Sequence, residues 1–128
     1  MIPKFRAWDK TTSKLHVVNG IYCDNKKIHY IDDNRVRFVG FDNVIIMQST
    51  GLKDKNGKEI FEGDILAFET DDEVINVNVF WDEEHALFMF ESKKYNEQEP
   101  LAELVENNTY PFEIIGNIYE NPELLEDK

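Results

Sequence analysis

The chain has 128 residues, a length typical of one ordinary domain that can bury a core without disulfide bonds. Hydrophobic residues make up 41% and aromatic residues 12% of it, with six glycines and four prolines, which excludes a disordered or collagen-like chain. The formal net charge of −12 disfavours broad electrostatic attraction to nucleic-acid phosphates or anionic membranes, so we expect a compact acidic domain.

Short runs rich in β-branched and aromatic residues dominate the chain and predict a mainly β fold. Clusters of Asp, Asn and Gly separate these runs and predict turns. The predicted strands are 4–8, 15–19, 28–31, 36–41, 44–48, 64–69, 74–81, 87–91 and 112–119. Within the seventh strand Ile75, Val77 and Val79 alternate with other residues, so their common face should point to the core.

Helical patterns are few and come late in the chain. Residues 100–106 predict a short helix, with Pro100 in the first turn and a stripe formed by Leu101, Leu104 and Val105. A second short helix is predicted over 121–126, where Asn121 would be the N-cap and proline follows at the first helical position.

Charge divides the chain sharply. Residues 1–63 carry 11 basic and 8 acidic side chains, whereas residues 64–128 carry 3 basic and 18 acidic ones. We therefore predict an N-terminal β-rich subdomain over 1–50, a connection with three glycines over 51–63, and an acidic C-terminal subdomain over 64–128. The opposite charges of the halves permit head-to-tail self-association into a homo-oligomer.

The polar segment Asp54-Lys55-Asn56-Gly57-Lys58 superficially suggests a ligand-binding loop. A phosphate-binding P-loop is excluded because a carboxylate, Glu59, stands where the loop needs a hydroxyl. A calcium loop is excluded because two of its required oxygen ligands are missing. We predict instead a tight turn in which Asn56 and Gly57 adopt positive φ.

No pattern in the chain indicates catalysis. His16, His29 and His85 are the default general bases, but none lies in a known catalytic motif. The turn 82–85 offers oxygen and nitrogen ligands, yet consecutive residues rarely converge on one ion, so no metal site is predicted. We expect no enzymatic activity, no catalytic residue and no cofactor.

The single cysteine, Cys23, excludes an intrachain disulfide and fits a reducing compartment. It lacks an activating base nearby in sequence and is expected to be a small buried apolar residue rather than a nucleophile. The chain contains no long apolar run, so a cytoplasmic protein without a membrane role is predicted.

Two nucleic-acid roles remain as alternatives. Carboxylates two residues apart on a strand are about 6.6 to 6.8 Å apart, close to the phosphate spacing of one DNA strand, so an acidic sheet could act as a decoy for a DNA-binding protein. Its residues would be Glu69, Asp71, Asp72, Glu73, Asp82, Glu83, Glu84 and Glu91. Alternatively, Lys4 and Arg6 could contact phosphates while Trp8 stacks on a base, with Lys53 and Lys55 adding positive charge.

Three blocks of sequence resemble the YopX family of phage and prophage proteins. They are Lys4-Phe5-Arg6-Ala7-Trp8-Asp9, the central stretch 48–65 with Gly51-Leu52-Lys53-Asp54-Lys55-Asn56-Gly57-Lys58, and Glu113-Ile114-Ile115-Gly116-Asn117-Ile118-Tyr119-Glu120-Asn121-Pro122. The resemblance implies a phage or prophage origin and a small, SH3-like, partly open β-barrel in the C-terminal half, beginning near residue 63. It implies no established activity, so no catalytic residue is carried over.

Together these observations predict a non-enzymatic, phage-encoded accessory protein that works in the host cytoplasm through contacts with an unknown protein partner. Nucleic acid is not expected as a direct ligand. The candidate interaction surface consists of charged residues expected to be exposed, namely Lys53, Asp54, Lys55, Lys58, Asp71, Asp72, Glu73, Asp82, Glu83 and Glu84.

Overall fold

Strands dominate the protein, which confirms the mainly β prediction. The computed structural model describes residues 4–107 and 111–126 and is 57% strand and 11% helical. The chain forms two compact units, Met1–Ser49 and Thr50–Lys128. No helix in the described ranges is long and apolar enough to cross a membrane.

The first unit consists of short antiparallel strands. They are β1 (Phe5–Asp9), β2 (Lys14–Val17), β3 (Gly20–Tyr22), β4 (Lys27–Asp32), β5 (Arg35–Gly40) and the first part of β6 (Val44–Lys53). Strand β1 pairs with β2 and β6, while β4 pairs with β3 and β5 in a separate three-stranded sheet. Ala7, Ile28, Tyr30 and Val44 are buried together and form the core of this unit.

The second unit contains a meander of strands with one helix near its end. Its elements are β7 (Glu59–Phe61), β8 (Asp64–Glu69), β9 (Val74–Asp82), β10 (Leu87–Ser92), β11 (Glu97–Pro100), α1 (Leu101–Asn107), β12 (Phe112–Asn117) and a 3₁₀ turn (Pro122–Leu125). Five of the strands form an antiparallel sheet in the order β11-β10-β9-β8-β12.

That order places the last strand of the sheet beside the first, as in SH3-like barrels. The sheet curls into a half-barrel, and β11 and β12 are not paired, so the barrel is partly open. The concave side carries the core residues Leu66, Val77, Val79 and Phe112, against which α1 packs the fully buried Leu101. The predictions of an SH3-like partly open barrel and of the first helix are confirmed.

Some local predictions differ from the structure. Cys23, expected to be buried, is exposed. The second short helix is present as a 3₁₀ helix over Pro122–Leu125 with Asn121 at the N-cap position, but the Asn121 side chain makes no cap hydrogen bond. The reason is that Asn121 Oδ1 is used elsewhere, accepting a hydrogen bond from the Asn117 backbone N–H at 3.3 Å. In the predicted tight turn Gly57 has φ 79°, whereas Asn56 is not among the residues of positive φ.

The glycine-containing segment after β6 is organised by one buried carboxylate, Asp54. Asp54 Oδ1 accepts hydrogen bonds from the backbone N–H groups of Asn56 at 3.0 Å and Lys58 at 2.9 Å. Asp54 Oδ2 accepts a hydrogen bond from the backbone N–H of Ile114 in β12 at 3.0 Å. Asp54 is only 7% exposed, so its expected place on an interaction surface is wrong. Its charge is used to fold the turn and to hold β12.

The three hydrogen bonds also set the ionisation of Asp54. Burial acts to raise the pKa of this carboxyl, but the N–H groups of Ile114, Lys58 and Asn56 outweigh it and hold the pKa below the ordinary value of 3.8. A carboxyl whose pKa falls on folding stabilises the fold above its unfolded pKa, and that contribution is lost as the pH falls through the folded pKa.

We expect Asp54→Ala to lower the free energy of unfolding at pH 7 by about 3 kcal/mol, because buried N–H groups lose a charged acceptor. Urea unfolding measures the loss, and Lys55→Ala, at an exposed neighbour, should change stability little. The difference between wild type and Asp54→Ala should shrink as the pH is lowered below 3.8. A difference that does not vary with pH would contradict this role of the ionised carboxylate.

Candidate functional site

The outer face of the β3-β4-β5 sheet is apolar and aromatic. Alternation along β4 turns Ile28 and Tyr30 to the core and leaves Ile31 55% exposed. Ile31 pairs with Val36 on β5, and two residues further Phe38 is 57% exposed. We call Tyr22, His29, Ile31, Val36 and Phe38 the apolar face.

The aromatic side chains of the apolar face contact one another. The Phe38 ring centroid lies 5.6 Å from that of His29 and 6.1 Å from that of Tyr22. The Tyr22 hydroxyl and His29 Nδ1 share a hydrogen bond of 2.9 Å. Gly20 faces the His29 ring, and a Cβ there would meet it at 2.5 Å, so glycine lets the ring lie close to β3. The face is therefore an ordered platform rather than scattered apolar groups.

A basic side chain lies on the apolar face. Lys27 Nζ lies 4.9 Å from the centroid of the Phe38 ring, a cation–π geometry. Arg35 and Arg37 are exposed on β5, an edge strand of this sheet in the described chain, but they pair with Asp32 and Tyr30 and so lie on the other side of the sheet. The apolar face thus has a cation beside Phe38, although the chain as a whole is acidic.

A second feature is a cleft in the half-barrel, beside β11 and α1. It has a volume of about 320 Å³. Its apolar lining comes from Phe68, Ile75, Phe90 and Leu104. Three carboxylates line it as well, those of Glu97 and Glu99 on β11 and Glu103 on α1. We call this feature the acidic cleft.

One ion pair joins two turns at the side of the acidic cleft. Glu73, in the turn between β8 and β9, accepts hydrogen bonds from Lys94 Nζ at 2.7 Å and from the Tyr95 hydroxyl. Both donors lie in the turn between β10 and β11. The hydrogen bond from Lys94, and after it that from Tyr95, lowers the pKa of Glu73. The bond to Glu73 raises the pKa of Tyr95. Glu73 is therefore paired with a cation and is not a bare carboxylate of an acidic surface.

The remaining residues of the predicted interaction surface lie in separate places. Lys53, Lys55 and Lys58 are exposed around the turn of Asp54. The acidic pairs 71–72 and 83–84 lie in the turns at opposite ends of β9, a strand whose nine residues span about 26 Å. The structure thus does not bring these carboxylates into one continuous row.

The basic N-terminal strand is only partly available to a ligand. Lys4 is exposed and Trp8 is half-buried, but Arg6 is only 9% exposed. The expected phosphate contact of Arg6 is therefore wrong, because its side chain is enclosed by the first unit.

The turn between β9 and β10 does bring metal-ligating atoms together, which sequence reasoning did not expect. Ligand atoms of Asp82, Glu84 and His85 lie within 4.8 Å of one another. Their contacts are those of a capped turn, with His85 Nδ1 2.8 Å from Asp82 Oδ2 and the Glu84 N–H donated to Asp82 Oδ1 at 3.0 Å. The hydrogen bond to His85 lowers the pKa of Asp82.

His16 belongs to a structural network around Tyr30 and Asp9. Its ring stacks on Tyr30 at 3.8 Å between centroids, and the Tyr30 hydroxyl donates to Asp9 Oδ2 at 2.8 Å. Burial, reinforced by the bond to Asp9, raises the pKa of Tyr30 to about 12. Asp9 is 1% exposed and also accepts two hydrogen bonds from Thr11, so this cluster holds β1 and β4 together.

The described elements define a small, mainly β protein with an exposed apolar face and an acidic cleft. The model of the YopX protein family matches residues 4–126, and the chain belongs to this family. The resemblance noted in the sequence is therefore confirmed.

Two solved structures are similar to the chain over nearly its whole length. Protein EF1440 from Enterococcus faecalis is 32% identical, with a TM-score of 0.69 over 98% of this chain and 99% of that one. Protein yopX from Bacillus subtilis is 21% identical, with a TM-score of 0.66 over 96% of this chain and 98% of that one, and shows the shared fold. No protein with a curated description shows significant similarity.

Tyr30 and Tyr95 each donate a hydrogen bond to a carboxylate, the first in a buried network and the second in an exposed one. Substituting each of them compares how much the two networks contribute to stability. We expect Tyr30→Phe to lower the free energy of unfolding by about 2 kcal/mol, because Asp9 keeps a buried charge with one donor fewer. Tyr95→Phe, which removes the exposed bond to Glu73, should cost clearly less. Chemical denaturation measures both, and equal losses would contradict the structural role assigned to the Asp9 network.

Proposed function

We propose that this chain is a phage- or prophage-encoded accessory protein that acts through protein contacts in the host cytoplasm and catalyses no reaction. The observation that carries the proposal is the apolar face of the first unit, where four large side chains are more than a third exposed, namely Tyr22, Ile31, Val36 and Phe38. A contiguous exposed apolar patch is typical of a protein interaction site.

The chemistry of the face favours one kind of partner. Aromatic residues held by a rigid sheet lose little entropy on binding and are frequent at the energetic centre of interfaces. The Lys27 ammonium lies beside Phe38, and residues 1–49 have a formal charge of +3. We therefore assign to this face a protein partner that presents an apolar contact surrounded by acidic side chains.

The double substitution Val36→Ser/Phe38→Ser tests the proposal. Because both side chains are exposed, the variant should keep the thermal midpoint of the wild type. Capture from host lysate, read by mass spectrometry, should yield a protein that is lost with this variant and retained with Val17→Ser, a matched substitution on β2 outside the apolar face. Sedimentation of the purified chain shows whether the partner is a second copy.

Two results would contradict the proposal. One is capture that is the same for wild type and for the variant of the apolar face. The other is capture that depends on the acidic turns instead, being lost when Asp71, Asp72, Asp82, Glu83 and Glu84 are neutralised and when salt is raised. The second result would favour the alternative of an acidic decoy for a DNA-binding protein.

A further inference from the structure

The acidic cleft combines apolar side chains with carboxylates that are exposed to solvent. Strand β11 pairs with β10 so that Glu97 lies opposite Ser92 and Glu99 lies opposite Phe90. Residues directly opposite each other on an antiparallel pair share a face, and Phe90 lies opposite the core residue Val79. Both carboxylates are thus on the concave side of the half-barrel, where the other strands place apolar side chains.

The described residues that line the cleft include no basic side chain, although the Lys94 ammonium lies beside it, 5.5 Å from the ring centroid of the lining residue Tyr95. The lysine nearest in sequence, Lys94, forms its ion pair with Glu73. The cleft therefore offers three negative side chains, those of Glu97, Glu99 and Glu103, over an apolar and partly aromatic surface.

The shape and charge of the cleft select the class of ligand. A volume of about 320 Å³ lies at the small end of ligand pockets and suits one long side chain rather than a large cofactor. Phe68 and Phe90 provide ring surfaces, and aromatic rings attract cations, with arginine the most frequent. The three carboxylates are not among the groups whose ligand atoms converge within 4.8 Å, so a metal ion fits less well than an extended cation.

We infer that the acidic cleft is a binding site for an arginine side chain of a protein partner. The planar guanidinium can stack on the phenylalanine rings while its N–H groups donate to the carboxylates on β11 and α1. Its alkyl part would lie on Ile75 and Leu104. This site lies in the second unit and uses none of the residues of the apolar face, so its failure would leave the proposed function standing.

An alternative role for the same carboxylates is protection of a sheet edge. Strand β11 is at the edge of the five-stranded sheet in the described chain, and inward-pointing charges on edge strands discourage pairing with another copy. That role predicts self-association when the charges are removed and requires no ligand. The two roles therefore differ in what they predict for an added cation.

The test uses the full chain and two short peptides, Ac-Gly-Arg-Gly-NH₂ and the same peptide with neutral citrulline in place of arginine. Titration in low salt, followed by ¹H–¹⁵N NMR, should give saturable shifts at amides around Phe90, Glu97 and Glu103 with the arginine peptide. The citrulline peptide should give none. Glu97→Gln/Glu99→Gln should weaken binding at least tenfold, and Glu103→Gln, on α1, should weaken it three- to tenfold.

The matched control is Glu83→Gln/Glu84→Gln, which removes the same charge at the turn between β9 and β10. Its affinity for the arginine peptide should stay within twofold of the wild type. Equal weakening by both double variants would mean that only net charge matters and would overturn the site. Absence of shifts at millimolar peptide, or dimer formation by Glu97→Gln/Glu99→Gln with unchanged spectra on titration, would overturn it as well.

Discussion

The second unit depends on the Asp54 carboxylate, which holds together parts of the chain that are 60 residues apart. Two of its hydrogen bonds close the turn between β6 and β7, and the third fixes Ile114 of β12, so one side chain sets both a loop and a strand. Strand β12 in turn pairs with β8, the first strand of the half-barrel. Without the carboxylate these backbone N–H groups would be buried without an acceptor. Because the acceptor is ionised, its hydrogen bonds are stronger than those to a neutral oxygen.

Local sequence patterns were sufficient to predict nine of the strands and the helix α1. Short runs rich in β-branched and aromatic residues indicated the strands, and a proline followed by apolar residues at helical spacing indicated the helix. The strands that were not predicted, β3, β7 and β11, have only three or four residues. Their strand geometry comes from a longer partner rather than from their own residues, and Glu97-Gln98-Glu99 in particular has the composition of a loop. Asn121 likewise follows the rule for a cap, but the Asn117 backbone N–H takes its oxygen.

The candidate sites were harder to predict than the fold, for a physical reason. Sequence reasoning selected charged residues in polar segments, and Asp54 shows that such a residue can be buried when backbone donors surround it. The acidic cleft is assembled from strands and a helix spread over residues 68–104, so no short motif encodes it. The apolar face is built from residues such as Val36 and Phe38, which in sequence resemble any core strand. Their exposure becomes apparent only in the folded chain, where Val36 and Phe38 are each more than half exposed.

The exposed strand β5 has a consequence for the self-association of the protein at high concentration. It is an edge strand in the described chain, and such a strand can template the stacking of further copies into insoluble fibres. Arg35 and Arg37 alternate with the apolar residues along this edge and act as gatekeepers, because stacking of like strands would place their charges next to one another. The strand that exposes Val36 and Phe38 thus also carries charges that oppose the addition of further copies.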